Sequence, residues 1–202
     1  MAVITISRQY GAGGKTMGDM IAKKLGYAFL DHDLLQKVAE KAKVSKEWVQ
    51  DMEKEAGGKL LKFINILVSK NQINRILDKG KGYIDEEIYV DTLNHVINKI
   101  ADEGNAVILG RGSQYILKDR KDAYHVLLIA ERADRIRFME MHYQMSAEQA
   151  TQAVNSEDKR RINLYHKFGK QDYDQPGLYH LTLNMSKISL GKGCELVCNL
   201  MK

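Results

Sequence analysis

Ten residues near the start of the chain carry the most legible chemistry: Ser7-Arg8-Gln9-Tyr10-Gly11-Ala12-Gly13-Gly14-Lys15-Thr16. Glycines clustered between an apolar segment and a helical one turn successive N–H groups toward one point. That point, at a helix N-terminus, binds anions through unpaired donors and the helix dipole. The lysine adds a point charge suited to β- and γ-phosphates, and the following hydroxyl suits Mg²⁺. The pattern G-x-x-x-x-G-K-[ST] is only half present. Gly14-Lys15-Thr16 matches its second half, whereas Gln9 stands where its first glycine belongs.

Three further positions carry usable charge. Asp31 ends a short apolar run and is placed either to orient water on a metal ion or an acceptor, or to cap a following helix. Arg111 lies in a Gly110-Arg111-Gly112 context after another apolar run. Its guanidinium suits bidentate phosphate binding, and the glycines allow close approach. Asp158-Lys159-Arg160-Arg161 is a charged stretch on a helical period, with Asp158 and Arg161 spaced to pair at i, i+3. Such a run is either a solvated helix face or a basic lid. The six histidines are scattered without metal-ligand spacing. Cys194 and Cys198, one helical turn apart, are too few for a zinc site and are expected to be reduced thiols.

The elements that must position these residues follow from hydrophobic period. Strands are predicted at 3–6, 27–30, 106–109, 123–130 and 179–184. Helices are predicted at 15–25, 34–42, 131–143, from Ser146, and from about Ser189. Residues 45–103 read as mostly helical, with a long apolar face at 60–68 and a last helix over 84–100. Short apolar strands alternating with helices imply a parallel sheet covered on both faces. In such sheets ligands bind beyond the carboxyl ends of the strands. Ser7 onward, Asp31, Gly110-Arg111 and the residues after Ile129 are therefore expected to share one crevice.

Composition narrows the classes. The chain has 202 residues, 44% hydrophobic and 28% charged, which excludes a disordered chain. Its longest apolar runs are far below the roughly 20 residues a spanning helix needs. No secretory leader is evident, and a cytoplasmic location is expected. The formal charge of +5 divides as +3 in residues 1–43 (7 basic, 4 acidic), −1 in 44–150 (16 and 17) and +3 in 151–202 (8 and 5). Without an aromatic-basic platform, this argues against nucleic-acid binding. It places the surplus with the glycine loop and the basic stretch.

Taken in order, these segments resemble the cytidylate kinase-like P-loop nucleoside monophosphate kinases over essentially the whole chain. The resemblance rests on Ile4-Thr5-Ile6-Ser7 with Gly11-Ala12-Gly13, on Leu25-Gly26 through Asp31, on Gly110-Arg111, on Asp158-x-x-Arg161, and on Asn184. It implies a three-layer α/β fold with a five-stranded parallel sheet of order 2-3-1-4-5. The single domain would have a core of 1–43 and 104–202, a helical insert at 44–103 on the acceptor side, and a lid at about 155–175.

The implied activity is phosphoryl transfer from Mg·ATP to a nucleoside monophosphate, with a cytidylate-like acceptor. Gly11, Ala12, Gly13, Gly14, Lys15 and Thr16 would hold ATP, and Thr16 the Mg²⁺. Asp31, Arg111 and Asp158 would contact the acceptor. Lys15, Arg160 and Arg161 would stabilise the phosphoryl group in flight. Partners are expected to be small nucleotides, with no nucleic acid and no membrane. The insert would bind the acceptor or form a homo-oligomer interface.

The sequence also departs from that family pattern. Aligned through Gly11-Ala12-Gly13, the family's lysine falls on Gly14 and its first loop glycine on Arg8. Val154 replaces an arginine of the lid pattern, a role Arg160 is placed to take. These departures leave two alternatives, a nucleotide-binding module without catalysis or a kinase for a different small acceptor.

Overall fold

The computed structural model describes residues 2–31, 86–170 and 173–201, with backbone only for 86–92. The helices predicted over 34–42 and 60–68 lie outside the described residues. Five strands, β1 (Val3–Arg8), β2 (Ala28–Leu30), β3 (Ala106–Leu109), β4 (Ala123–Ile129) and β5 (Leu181–Asn184), form one sheet of order β2-β3-β1-β4-β5. Every pairing is parallel. The described helices are α1 (Gly14–Leu25), α2 (Glu86–Glu103), α3 (Ser113–Ile116), α4 (Arg132–Tyr143), α5 (Ala147–Lys167) and α6 (Leu190–Asn199).

Alternation along the strands divides the core. Ile4, Ile6, Val107, Leu109, Val126 and Leu128 pack on one face against Met17 and Ile21 of α1 and Val197 of α6. Cys194 and Cys198, both free thiols, are buried in that cluster. On the other side of the sheet α3 packs on β1, and α2 packs on α3. No helix among the described residues is long and apolar enough to cross a membrane.

Element ends differ from the sequence expectation where a specific hydrogen bond intervenes. Tyr27 is not in β2, because its N–H donates to Ala22 O (2.8 Å) and closes α1 around Gly26, whose φ is +66°. Ala130 leaves β4 because its N–H donates to Gln9 Oε1 at 3.0 Å. Tyr179 leaves β5 because its N–H closes the short 3-10 turn at Pro176–Leu178 (3.0 Å to Pro176 O). Helix α3 has four residues, too few for a periodic signal. Ser146 and Ser189 do cap their helices; Ser146 forms a reciprocal box with Gln149.

One polar pair sits inside the sheet. Thr5 and His125 face each other in register, with Thr5 Oγ1 and His125 Nδ1 2.8 Å apart. Burial first, and the charge of His180 second, pull the His125 imidazole down to about 4. The unfolded chain then binds the extra proton between pH 6.5 and about 4, so stability is full above that window and falls as pH drops through it. We expect the unfolding free energy to fall by up to about 1.4 kcal/mol per pH unit there. Denaturant melts at stepped pH check this, and His125→Gln should flatten the dependence.

Candidate functional site

The crevice is built at the carboxyl end of β1. Gly11 (φ +85°) and Gly13 (φ +79°) take left-handed conformations that turn the chain into α1. Gly13 caps α1 without a side-chain hydrogen bond. The first turn of α1 therefore begins without a side-chain acceptor of its own, and its dipole favours an anion there.

The loop is clamped from both sides. Gln9 N donates to Leu128 O (3.0 Å) while Gln9 Oε1 accepts from Ala130 N, so both bonds fasten the loop to the end of β4. That is why glutamine serves where the phosphate-loop pattern has glycine. The Tyr10 peptide is gripped next. Its N–H donates to Asp158 Oδ1 (3.2 Å), and its carbonyl accepts from Arg135 Nη1 (3.2 Å). Arg135 Nη1 also donates to Asp158 Oδ2 at 2.6 Å. This corrects the expected pairing of Asp158 with Arg161. Asp158 turns toward α4 because buried Arg135 needs a carboxylate, and the pair ties α5 to the loop.

Arg161 is served elsewhere. Its Nη1 donates to both oxygens of Asp174 (2.9 and 2.7 Å), and its guanidinium lies near the rings of Tyr165 and Tyr173 (5.5 and 5.8 Å to the centroids). Burial alone would depress it, but Tyr165 and Asp174 outweigh burial and hold it above the ordinary arginine value. Arg160 projects to the exposed side of α5 and pairs with Glu157 at 3.3 Å. Val154, at the position of a lid arginine, is buried with Met139 and Ala150.

On the opposite wall, Gly110, Arg111 and Gly112 have φ of +74°, +62° and +67°. Of these three left-handed residues only Arg111 carries a Cβ, and it stores strain of the kind that clusters at ligand sites. A side chain at position 112 would run into the Phe168 ring (2.5 Å), so α5 closes directly over this turn. Ser7 Oγ, Tyr115 Oη and Tyr179 Oη are also buried, with Tyr179 facing Ser7 and Tyr115 facing Gln114. Burial pushes the Tyr115 phenol up to about 12 and raises Tyr179 further. Both stay neutral donors at physiological pH.

Lys15 and Asp31 meet at the mouth of the loop, Nζ to Oδ2 3.4 Å, the carboxylate buried and the ammonium half-exposed. Thr16 is partly buried one residue further along α1. Beside the loop, a cleft of about 210 Å³ opens between α4 and the start of α6, lined by Gly11, Ala12, Phe138, His142, Ile188 and Leu190. Its stacked Phe138 and His142 rings are 4.0 Å apart. Arg132, on the exposed face of α4, donates to Asn155 (3.0 Å).

Sequence reasoning gave no role to Gln9, Arg135 or Asp174, which hold the site together. It noted Arg8 only as a departure. The one available signal for Arg8 was its place, the last residue of β1 before the glycine loop.

Comparison with known proteins agrees with this fold. An uncharacterized protein from Eubacterium ventriosum ATCC 27560 superposes with a TM-score of 0.67 at 16% identity, covering 99% of this chain and 98% of that one. A sugar kinase from Janibacter sp. HTCC2649 gives 0.52 at 12% identity (100% and 94% covered), and a shikimate kinase from Bacteroides thetaiotaomicron 0.51 at 14% (99% and 98%). These likenesses establish the P-loop kinase fold. No curated protein matches the sequence. Residues 3–187 match the cytidylate kinase-like family, which takes in the glycine loop, the Gly-Arg-Gly turn and α5 alike, and the chain therefore belongs to that family.

Proposed function

We propose that the protein transfers the γ-phosphoryl group of Mg·ATP to a small phosphorylated acceptor, a nucleoside monophosphate of the cytidylate type. The observation that carries this reading is the juxtaposition of two anion-seeking turns at the ends of neighbouring strands. One is the glycine loop after β1, the other the strained Gly110-Arg111-Gly112 turn after β3. In-line transfer needs donor and acceptor phosphates held end to end in a field of positive charge.

The N–H groups of Gly11, Ala12, Gly13, Gly14, Lys15 and Thr16 would cradle the ATP phosphates. The cleft beside Phe138 would take the base. Lys15, steadied by Asp31, adds charge at the loop mouth. Arg111 and Arg161 face the acceptor phosphate, and the neutral Tyr115 and Tyr179 hydroxyls offer hydrogen bonds to the rest of the acceptor. Arg160 and Asp158 contribute through α5, Arg160 from its outer face and Asp158 by holding the loop.

Oxygen donors suit Mg²⁺, which commonly takes one or two protein ligands and fills its shell with phosphate and water. Thr16 and Asp31 fit that pattern. Among the described residues no cluster of three or more acidic, His or Cys side chains forms a separate metal site. When bound, the ion would neutralise charge on the β- and γ-phosphates.

The test is Mg·ATP-dependent ADP release with CMP, dCMP, UMP and AMP, then shikimate and simple sugars. Stimulation by one monophosphate is expected. A second reading, nucleotide binding without transfer, is favoured by the ion pair that engages Lys15 with Asp31. It predicts ATP binding by calorimetry with no stimulated turnover by any acceptor.

A further inference from the structure

We propose that Arg8 is a catalytic residue, the cation that spans donor and acceptor phosphates, delivered from the end of β1 in place of a lysine at the start of α1. The proposal rests on the kinase reading above. The step it serves is simple. The bond from γ-phosphorus to the β,γ-bridging oxygen breaks, and its electron pair stays on ADP. A bond forms from an acceptor phosphate oxygen to the same phosphorus, giving a nucleoside diphosphate. Nothing is oxidised or reduced, and no proton need move if the attacking phosphate is a dianion. What the protein must supply is charge at the point of transfer.

Among the described residues, Arg8 lies against both turns. Its stem lies on Gly14. A Cβ placed there would come within 2.8 Å of Arg8 Cγ, 3.2 Å of its Cβ and 3.3 Å of its Cδ. Its head lies on Gly110. A Cβ there would overlap Nη1 and sit 3.3 Å from Cζ. The side chain thus runs from the first residue of α1, where the donor phosphates would end, to the turn that carries Arg111.

Its surroundings are those of an anion ligand rather than a structural arginine. Among the described residues no carboxylate forms an ion pair with Arg8. The acidic neighbour, Glu157, is engaged by Arg160. The nearby cations are Arg161 and Arg111. Burial pulls the Arg8 guanidinium below its ordinary value; Tyr165 opposes this, and behind it the like charges of Arg161 and Arg111 lower it further, against the raising effect of Glu157. A phosphate entering between them relieves that repulsion.

The same contacts explain the departure at position 14. A lysine there and an arginine at position 8 would compete for one space, so the space over Gly14 holds one of the two. Here glycine and cation have exchanged places across the loop.

The test uses Arg8→Gln, Arg8→Gly, the exchange variant Arg8→Gly/Gly14→Lys, and Lys15→Gln for comparison. Each is assayed for kcat with the best acceptor, for ATP affinity by calorimetry and for Tm. Arg8→Gln should lower kcat by about 100-fold or more, in the range of a lost transition-state arginine. ATP affinity should change less than about fivefold, because the loop N–H groups remain. The exchange variant should recover at least about tenfold over Arg8→Gly, and Lys15→Gln should cost less than Arg8→Gln.

A kcat for Arg8→Gln within about threefold of wild type overturns the proposal while leaving the kinase reading intact. So does a joint fall in Tm and ATP affinity with kcat preserved at saturation, which would make Arg8 structural. A wild-type protein that binds ATP but turns over no acceptor removes the kinase reading itself, and this proposal with it.

Discussion

Gly11→Ala is expected to weaken ATP binding by at least about 100-fold while leaving most of the fold's stability in place. Two costs coincide at this position. The residue sits at φ +85°, where a Cβ costs about 1–2 kcal/mol. The added carbon would also lie 2.6 Å from the Arg135 carbonyl oxygen and 2.9 Å from Arg135 Cβ. Neither atom is the free end of a flexible side chain, so the loop itself must shift. Moving it breaks the alignment of several N–H groups at once. A loss near 3 kcal/mol corresponds to about two decades in affinity. Isothermal calorimetry with ATP measures it, and thermal melts check the fold. Apart from Ala12, the buried core cluster lies on α1, α6 and the sheet, so Tm should fall by only a few degrees. A dissociation constant within about threefold of wild type would show that the loop does not bind phosphate.

The second large effect concerns Arg111. Replacing it by alanine should raise the acceptor KM by about 100-fold, the worth of two charge-assisted hydrogen bonds at about 1.5 kcal/mol each. Arg111→Lys should recover only part of this, because lysine keeps the charge and loses the fork. Arg111→Gly separates function from structure. Glycine takes φ +62° without the Cβ penalty, so this variant should be as stable as wild type or more stable by up to about 1 kcal/mol, yet lose the acceptor equally. A structural arginine predicts the opposite sign in the melt. Steady-state kinetics with varied acceptor at saturating ATP, paired with denaturant unfolding, decides between them.

Much of this is legible in the sequence. The β-branched run Val3-Ile4-Thr5-Ile6, the glycine cluster and the serines at 146 and 189 mark their elements because their signals are local. They reflect conformational preference and hydrogen bonds to the next few residues. The strand order followed from a whole-chain resemblance, and the observed β2-β3-β1-β4-β5 sheet matches it. The convergence of Ser7, Asp31, Arg111 and the end of β4 followed from the rule that parallel sheets bind ligands at their carboxyl ends.

Partner choice among charges was not legible. Asp158 has Arg161 one turn away, yet it bonds Arg135, 23 positions back in the chain, and Arg161 takes Asp174, 13 positions on. A helix places i, i+3 neighbours within reach. Burial of Arg135 sets a far larger penalty for an unpaired charge than a surface pair can repay. The same holds for Arg8. In sequence it is a misplaced residue in a half-matched motif, and only packing shows its stem filling the space over Gly14 and its head resting on Gly110, 102 positions away.

The sequence by itself determined most of the described elements, their parallel arrangement and the end of the sheet at which chemistry belongs. Period, capping and turn preferences act over a few residues and are written there. The tertiary structure alone decided which cation faces which anion, because desolvation and steric exclusion depend on what the folded chain brings together.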